Sequence, residues 1–290
     1  MKMKKLSILL IISLVFTCFA LCSCGGGAAD DDDEDEESPE GLLMTQTADG
    51  DYMVAGLGTY PYKDVIIPSK FNGRPVVAIY DNAFYNEKIT SVVIPGSVKR
   101  IRESAFQECG DLVSVTFNEG LAKIESYAFD ACSSLTELTF PKSLELVDYT
   151  AFSDCYELKK LTFLGNTSIG RSAFSHCEKI TEIVFSGTDG RAYNIEEQAF
   201  SDVKISAIAL PEGLEEIGCG AFFGVDTLKT VYLPKSLKSV FEDSFAVTPL
   251  EMIYYAGDVN DWANITTEEN QYNIYENPLE NTPIEFNHKY

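Results

Sequence analysis

Histidine is nearly absent, at two residues in 290, and tryptophan occurs once. With only His176 and His288 available, a hydrolytic triad has no credible base. Positive charge is also scarce: 22 Lys and Arg against 45 Asp and Glu leave a formal net charge of −23. Phosphate-backbone binding depends on a basic surface, so nucleic acid is set aside as a partner. None of the eight cysteines forms a Cys-x-x-Cys pair, and zinc-site spacing therefore fails. The carboxylates are plentiful but scattered, without the recurring pair that glycoside hydrolysis needs. Glycines such as Gly110 and Gly120 fall at turns and form no phosphate loop. No constellation meets the requirements of an active site, so the chain is not read as an enzyme, and no metal or cofactor is implied. What remains is a 45% apolar composition, ordinary for a chain that buries a core.

Lys2, Lys4 and Lys5 precede an apolar stretch from Leu6 to Leu21, the layout of a signal peptide. At about 16 residues the stretch is short for a membrane span. It runs into Leu21-Cys22-Ser23-Cys24-Gly25, which resembles the lipobox of bacterial lipoproteins. That resemblance makes Cys24 the acylated N-terminus, with small Ser23 before the cut; Cys22 fits worse because bulky Leu21 would sit there. An ordinary secretory signal with incidental cysteines is the competing reading. Then come Gly25 to Ala29 and eight consecutive acidic residues, Asp30 to Glu37, with no side chain apolar enough to offset chain entropy. The segment reads as an extended, self-repelling tether. It also resembles the surface-export signal of some Bacteroidetes lipoproteins, with a plain solvated spacer as the alternative.

From about Tyr60 one pattern recurs. A phenylalanine closing an Ala-Phe or similar pair stands at Phe84, Phe106, Phe129, Phe152, Phe174, Phe200, Phe222 and Phe245, in steps of 22 or 23 with a single 26. Each unit carries an L-x-x-L-x-L segment, such as Leu112-Val115-Phe117, Leu135-Leu138-Phe140 or Leu228-Val231-Leu233, whose anchors alternate with outward residues as in a half-buried strand. Pro95, Pro141, Pro211 and Pro234 follow at once and end the strand. A second set of anchors lies five residues before each phenylalanine: Ile79, Ile101, Ile124, Val147, Ile169, Ile195, Ile217 and Val240. No single unit encloses its own apolar face, so neighbours must bury it jointly. The period and pattern are those of a leucine-rich repeat. The predicted fold is an α/β-type repeat solenoid, with a stacked parallel β-sheet on one face and mostly irregular or short helical return arms.

The repeat resembles the BspA-like branch of bacterial leucine-rich repeats, the type also seen in treponemal surface proteins, over roughly residues 43 to 286. Pro141, Val147, Ala151-Phe152 and Cys155 match that family's Pro, Ile, Ala-Phe and Cys positions. The stretch from Tyr52 to Ala83, with Asp64 to Pro68 and Asn72 to Val76, resembles its opening cap, and Ile253 to Gly257 through Asp261-Trp262 its closing cap. Leu164 and Ser186 depart from the proline position, and Gly187 to Tyr193 holds inserted residues. The chain thus divides into a signal peptide (1–23), a tether (24–41), an opening cap with the first repeat (42–83), repeats (84–255), and a closing cap with tail (256–290).

Cys109, Cys132, Cys155 and Cys177 each follow the repeat phenylalanine by three residues and should stack. They read as small buried side chains, with disulfides between neighbouring coils as the alternative. His176 takes the slot of Glu108, Ala131 and Asp154, a variable turn position. The outward column beside the last strand anchor reads Val93, Thr116, Thr139, Thr162, Val184, Ala209, Tyr232, Tyr254 and carries no charge. Thr and Val are also simply good strand formers. The binding reading is that Thr116, Thr139, Thr162, Tyr232, Tyr254 and nearby Trp262 form a contact surface, hottest in the C-terminal third. The family resemblance implies a surface-displayed binding or adhesion lipoprotein. Its partner would be a protein or glycan macromolecule on host or neighbouring cells, and it would meet the membrane through its N-terminal lipid. A structural spacer of the cell envelope is the alternative.

Overall fold

The computed structural model describes residues 41–187, 189–270 and 275–289, so the signal peptide, Cys24 and the acidic run lie outside the described residues. The described chain is a β-solenoid wound from the repeats. On one side lie strands of three or four residues, beginning with Asp64–Ile66, Ser91–Ile94 and Ser114–Phe117 and ending with Met252–Tyr255 and Ile284–Phe286. Their burial alternates as the spacing predicts: Val115 and Phe117 point in while Ser114 and Thr116 are exposed. Neighbours pair in parallel, one repeat apart, as in Leu138 beside Leu161 and Phe140 beside Phe163.

The return arm adds one feature to the expectation. It is mostly turns, as expected, but each coil also places a short strand there, such as Arg100–Ile101, Lys123–Ile124 and Leu146–Val147. These strands pair in parallel into a ladder that runs unbroken from the opening hairpin (Leu43–Gln46 with Tyr52–Gly56) to Thr266–Glu268. Ile101, Ile124 and Val147 are fully buried, so a β-branched anchor in every coil lands on the same ladder position. Among the described residues the helices are Val259–Ala263 and Pro278–Asn281, both in the closing cap. The long-strand face, by contrast, divides into blocks of three, three and four strands. At the first break, between Ser114–Phe117 and Glu137–Phe140, the inward rings Phe117 and Phe140 stand 5.6 Å apart, against 4.7 Å for Phe140 and Phe163 within a block.

Between the two sides each coil turns over its Ala-Phe pair. All eight repeat phenylalanines are buried, and their rings form one stack with centroids 4.8 to 5.6 Å apart and planes within 18° of parallel. The turn backbone is laddered as well: Phe106 N donates to the Ala128 carbonyl at 2.7 Å, and Phe129 N to that of Ala151 at 2.8 Å. This satisfies amides that burial would otherwise orphan. Alanine precedes the ring because its methyl is itself fully buried between coils, at Ala105, Ala128 and Ala151.

Seven of the eight turns are bracketed by two residues in the left-handed region, two before and two after the phenylalanine; the Phe245 turn keeps only the later one, Val247. Ser104 (φ 56°) and Glu108 (φ 62°), Tyr127 (59°) and Ala131 (57°), Thr150 (54°) and Asp154 (57°), and Ser172 (55°) and His176 (61°) make the pattern. His176 is therefore the turn residue that its slot implies. Only the coil of Phe222 uses glycine at both places, Gly220 and Gly224. Elsewhere about 1 kcal/mol or more of backbone strain per site is held by the laddered hydrogen bonds.

The ends are closed differently. The antiparallel hairpin covers the first coil. At the far end buried Tyr255 is met edge-on by Trp262 at 5.2 Å, and by Phe286 at 6.3 Å. The helix carrying Trp262 is fixed by a reciprocal cap, Asp258 accepting from Asp261 N while Asp261 accepts from Asp258 N. Cross-coil ion pairs such as Lys123–Asp148 at 2.7 Å and Lys229–Glu251 at 2.7 Å line the exterior. Being exposed, they contribute little stability and mainly favour the correct register.

Candidate functional site

The uncharged column exists as a physical row. Parallel pairing sets Val93 beside Thr116, Thr139 beside Thr162 and Thr162 beside Val184. Past the second break it sets Ala209 beside Tyr232 and Tyr232 beside Tyr254. The row also extends past both ends of the sequence pattern, to exposed Ile66 before Val93 and to Glu285 after Tyr254. Thr116 and Thr139 are exposed, and Thr162, Tyr232 and Tyr254 half-exposed, so five of the six proposed contact residues do share one outward row.

Trp262 does not join them. Successive strand residues point to opposite faces, and its ring packs on inward Tyr255 rather than outward Tyr254. It plugs the end of the core. The third aromatic group on the row is instead His288. Tyr232 and Tyr254 stack at 4.7 Å with planes 11° apart, and the His288 ring lies 4.5 Å from Tyr254 and 5.4 Å from Tyr232. Its Nδ1 is 3.2 Å from Glu285 Oε1. His288 arrives because Ile284–Phe286 pairs with Met252–Tyr255 as one more face strand. The alternating Ile284 and Phe286 were the available signal, outside the 23-residue period.

The cysteine column is buried, and Cys109, Cys132, Cys155, Cys177 and half-buried Cys219 are all free thiols. Each column thiol donates to the phenylalanine carbonyl of the preceding coil: Cys109 to Phe84 at 2.9 Å, Cys132 to Phe106 at 3.1 Å, Cys155 to Phe129 at 3.4 Å and Cys177 to Phe152 at 3.2 Å. Later coils fill the same position with buried Val203 and Val225, so the slot asks first for small apolar volume. Burial pushes the Cys109 thiol up to about 12 and those of Cys132 and Cys155 well above the ordinary range. Among the described residues no group of three His, Cys, Asp or Glu side chains is placed to hold a metal ion.

The inserted residues have a consequence that spacing alone does not reveal. At the second break, beside Gly187 and Gly190, lies an open cleft of about 420 Å³ whose walls include Phe185, Leu210 and Pro211.

Replacing Cys132 and Cys155 by valine should cost less than about 1.5 kcal/mol at pH 7, since the volume change is small and valine already serves in two coils. The same variant should lose part of the alkaline instability of the parent. These thiols ionise less readily folded than unfolded, so the stability they lend is full below about pH 9 and is lost as pH rises through the folded values. Denaturant titrations at pH 7 and pH 10 check this; identical pH dependence in the two proteins contradicts it.

The sequence profile described as the BspA type leucine rich repeat region matches in six copies, over residues 77–191 and 193–268. A crystal structure of a leucine-rich repeat protein of T. pallidum is similar at 27% identity and a TM-score of 0.54, covering 64% of this chain and 87% of that one. A leucine rich cell surface protein of Faecalibacterium prausnitzii is 20% identical, with a TM-score of 0.38 over 86% of this chain and 100% of that one. No curated protein matches the chain. Coil length, the Ala-Phe turn and the repeated profile together place this chain in the BspA-type leucine-rich-repeat family.

Proposed function

We propose that this chain is an exported, lipid-anchored surface protein that binds a protein or glycan macromolecule on a host or neighbouring cell. The observation that carries the reading is the uncharged row. On a chain of net charge −23, the row carries no charge from Ile66 to Tyr254, across both breaks in the face. Such a strip is cheap to desolvate, and the stacked Tyr232 and Tyr254 add apolar area with polar tips, the residue chemistry favoured at interface hot spots. The threonines contribute β-branched, weakly hydrated contacts along the same row. Anchoring is carried by the lipobox-like segment ending in Cys24, with the acidic run as a spacer that holds the coils off an anionic membrane surface. Among the described residues no helix is long and apolar enough to cross a membrane.

Changing Tyr232 and Tyr254 together to alanine should weaken attachment to the partner by about 10-fold or more while leaving the melting temperature near that of the parent. A binding screen against matrix proteins and glycans, followed by comparison of parent and variant, makes the test; unchanged affinity removes the tyrosines from the interface. Anchoring is checked in the native host. Cys24→Ser should release the protein from the membrane fraction, and protease added to intact cells carrying the parent should digest the coils. Coils that stay protected would favour an inward-facing envelope spacer instead.

A further inference from the structure

The turn from face strand to return ladder carries a backbone site that most coils fill themselves and the turn after Ile94 does not. After Phe140, Lys142 N and Ser143 N donate to the two carboxylate oxygens of Glu119, at 3.0 and 3.2 Å. After Leu233, Lys235 N and Ser236 N donate to those of Glu212, at 2.9 and 3.1 Å. Each carboxylate reaches forward from the preceding coil, 23 residues before the first amide it meets. In other turns the later amide alone is taken: Gly120 N by Ser143 Oγ, Gly213 N by Ser236 Oγ and Asn166 N by Asp189 Oδ2. Successive N–H groups aimed at one point make a nest for an anion.

In the turn after Ile94 the equivalent amides, Gly96 N and Ser97 N, have no partner among the described residues. The slot that holds Glu119 and Glu212 offers no carboxylate there. Counting back 23 residues from Gly96 gives Gly73, and the ladder register, with Ala78 beside Arg100, gives Arg74. The serine is affected as well: Ser143 Oγ accepts from Gly120 N and donates to the Leu121 carbonyl, whereas Ser97 Oγ is buried with no partner. The opening cap pairs Arg74 with Phe71 in its own hairpin instead. Peptide geometry fixes where the amide points. A Cβ on Gly120 would lie 2.2 Å from the Gly96 carbonyl oxygen, so that oxygen faces the following coil and the trans N–H of Ser97 faces the opening cap. Lys99 adds a positive charge beside it, with Nζ 2.8 Å from the Gly96 carbonyl oxygen and no ion pair among the described residues.

We infer that Gly96 N, Ser97 N and the Lys99 ammonium form a binding site for a carboxylate supplied from outside the repeats, held as Glu119 and Glu212 are held in their own turns. Two successive N–H donors match the two oxygens of a carboxylate, and an ionised acceptor strengthens both bonds. Two sources carry this chemistry: an acidic side chain of a partner, and this chain's own run from Asp30 to Glu37, which precedes the opening cap in the sequence. The site is separate from the uncharged row and does not depend on what that row binds.

The test follows backbone amide resonances of the full-length, nitrogen-15-labelled protein as sodium acetate is added, with sodium chloride at equal ionic strength as the reference. Three proteins are compared: the parent, a variant with Asp30 to Glu37 all replaced by serine, and that variant with Glu119→Ala added. In the serine variant the Gly96 and Ser97 resonances should shift downfield and saturate with acetate but not with chloride, while those of Lys142 and Ser143 stay in place. Glu119→Ala should free the latter pair to respond in the same way. Lys99→Gln should weaken acetate binding at Gly96 about 2-fold or more, the scale of one exposed charge contact. A parent whose Gly96 and Ser97 resonances already sit at the acetate-bound positions assigns the site to the acidic run; a parent that titrates like the serine variant leaves it to an outside carboxylate. Gly96 and Ser97 resonances that do not move in the serine variant, or that move equally in chloride, would overturn the site, and unchanged affinity in Lys99→Gln would overturn the part given to the lysine.

Discussion

Everything in this fold depends on the burial of each coil's apolar face by the next coil. A unit of about 23 residues is too small to hide its own isoleucines and phenylalanine, so its stability is almost wholly an interface term. The eight-ring stack shows how the term is collected. One ring per coil, at nearly constant separation and nearly parallel, lets every interior coil present the same surface on both sides. The turn and return-strand amides repeat in step with the rings, so polar groups carried inward are satisfied by the same translation. Left-handed backbone at Tyr127, Thr150 and His176, unfavourable for each residue alone, is tolerated because that ladder leaves no alternative.

The same constraint explains what was legible in the sequence. Columns that face the core repeat at the period of the coil, so Phe129, Ile124 and Cys132 were identifiable as buried without any three-dimensional information. The cysteines read as inert packing for the right reason, though not their bond to the preceding phenylalanine carbonyl, which needs coil-to-coil geometry. The return-arm ladder was hidden because a two-residue strand such as Lys123–Ile124 is too short to show alternation. Trp262 misled through proximity in sequence: it follows Tyr254 and Tyr255 closely, but it meets Tyr255, which points inward. His288 and the cleft lay outside the periodic signal, one in the tail and the other in the single overlong coil.

Because packing consumes the inward positions, the outward ones are free to vary, and their variation is where a partner would be recognised. Charge is spread over the flanks as cross-coil pairs, while the central row is neutral from Ile66 to the stacked Tyr232 and Tyr254. The break in the face at the long coil interrupts this row, whereas the return ladder stays connected from Ser168–Ile169 through Tyr193–Ile195 to Leu214–Ile217, with a register shift absorbed between Tyr193 and Asn194. One side of the solenoid thus carries continuity and the other carries departures from it, an arrangement that lets a surface feature be inserted at low cost to the stack.

The central claim, that coils are equivalent units sharing one core, is tested most directly by excision in and out of register. Deleting residues 118–140 removes one whole unit and joins Phe117 to Pro141, a junction like the natural one between Phe140 and Pro141. This protein should stay folded and unfold cooperatively in denaturant, with stability reduced by roughly one unit's share. Deleting only residues 118–128 should abolish the folded signal, because every later ring then meets the wrong partner. A whole-unit deletion that fails to fold, or a half-unit deletion tolerated equally well, would contradict the account.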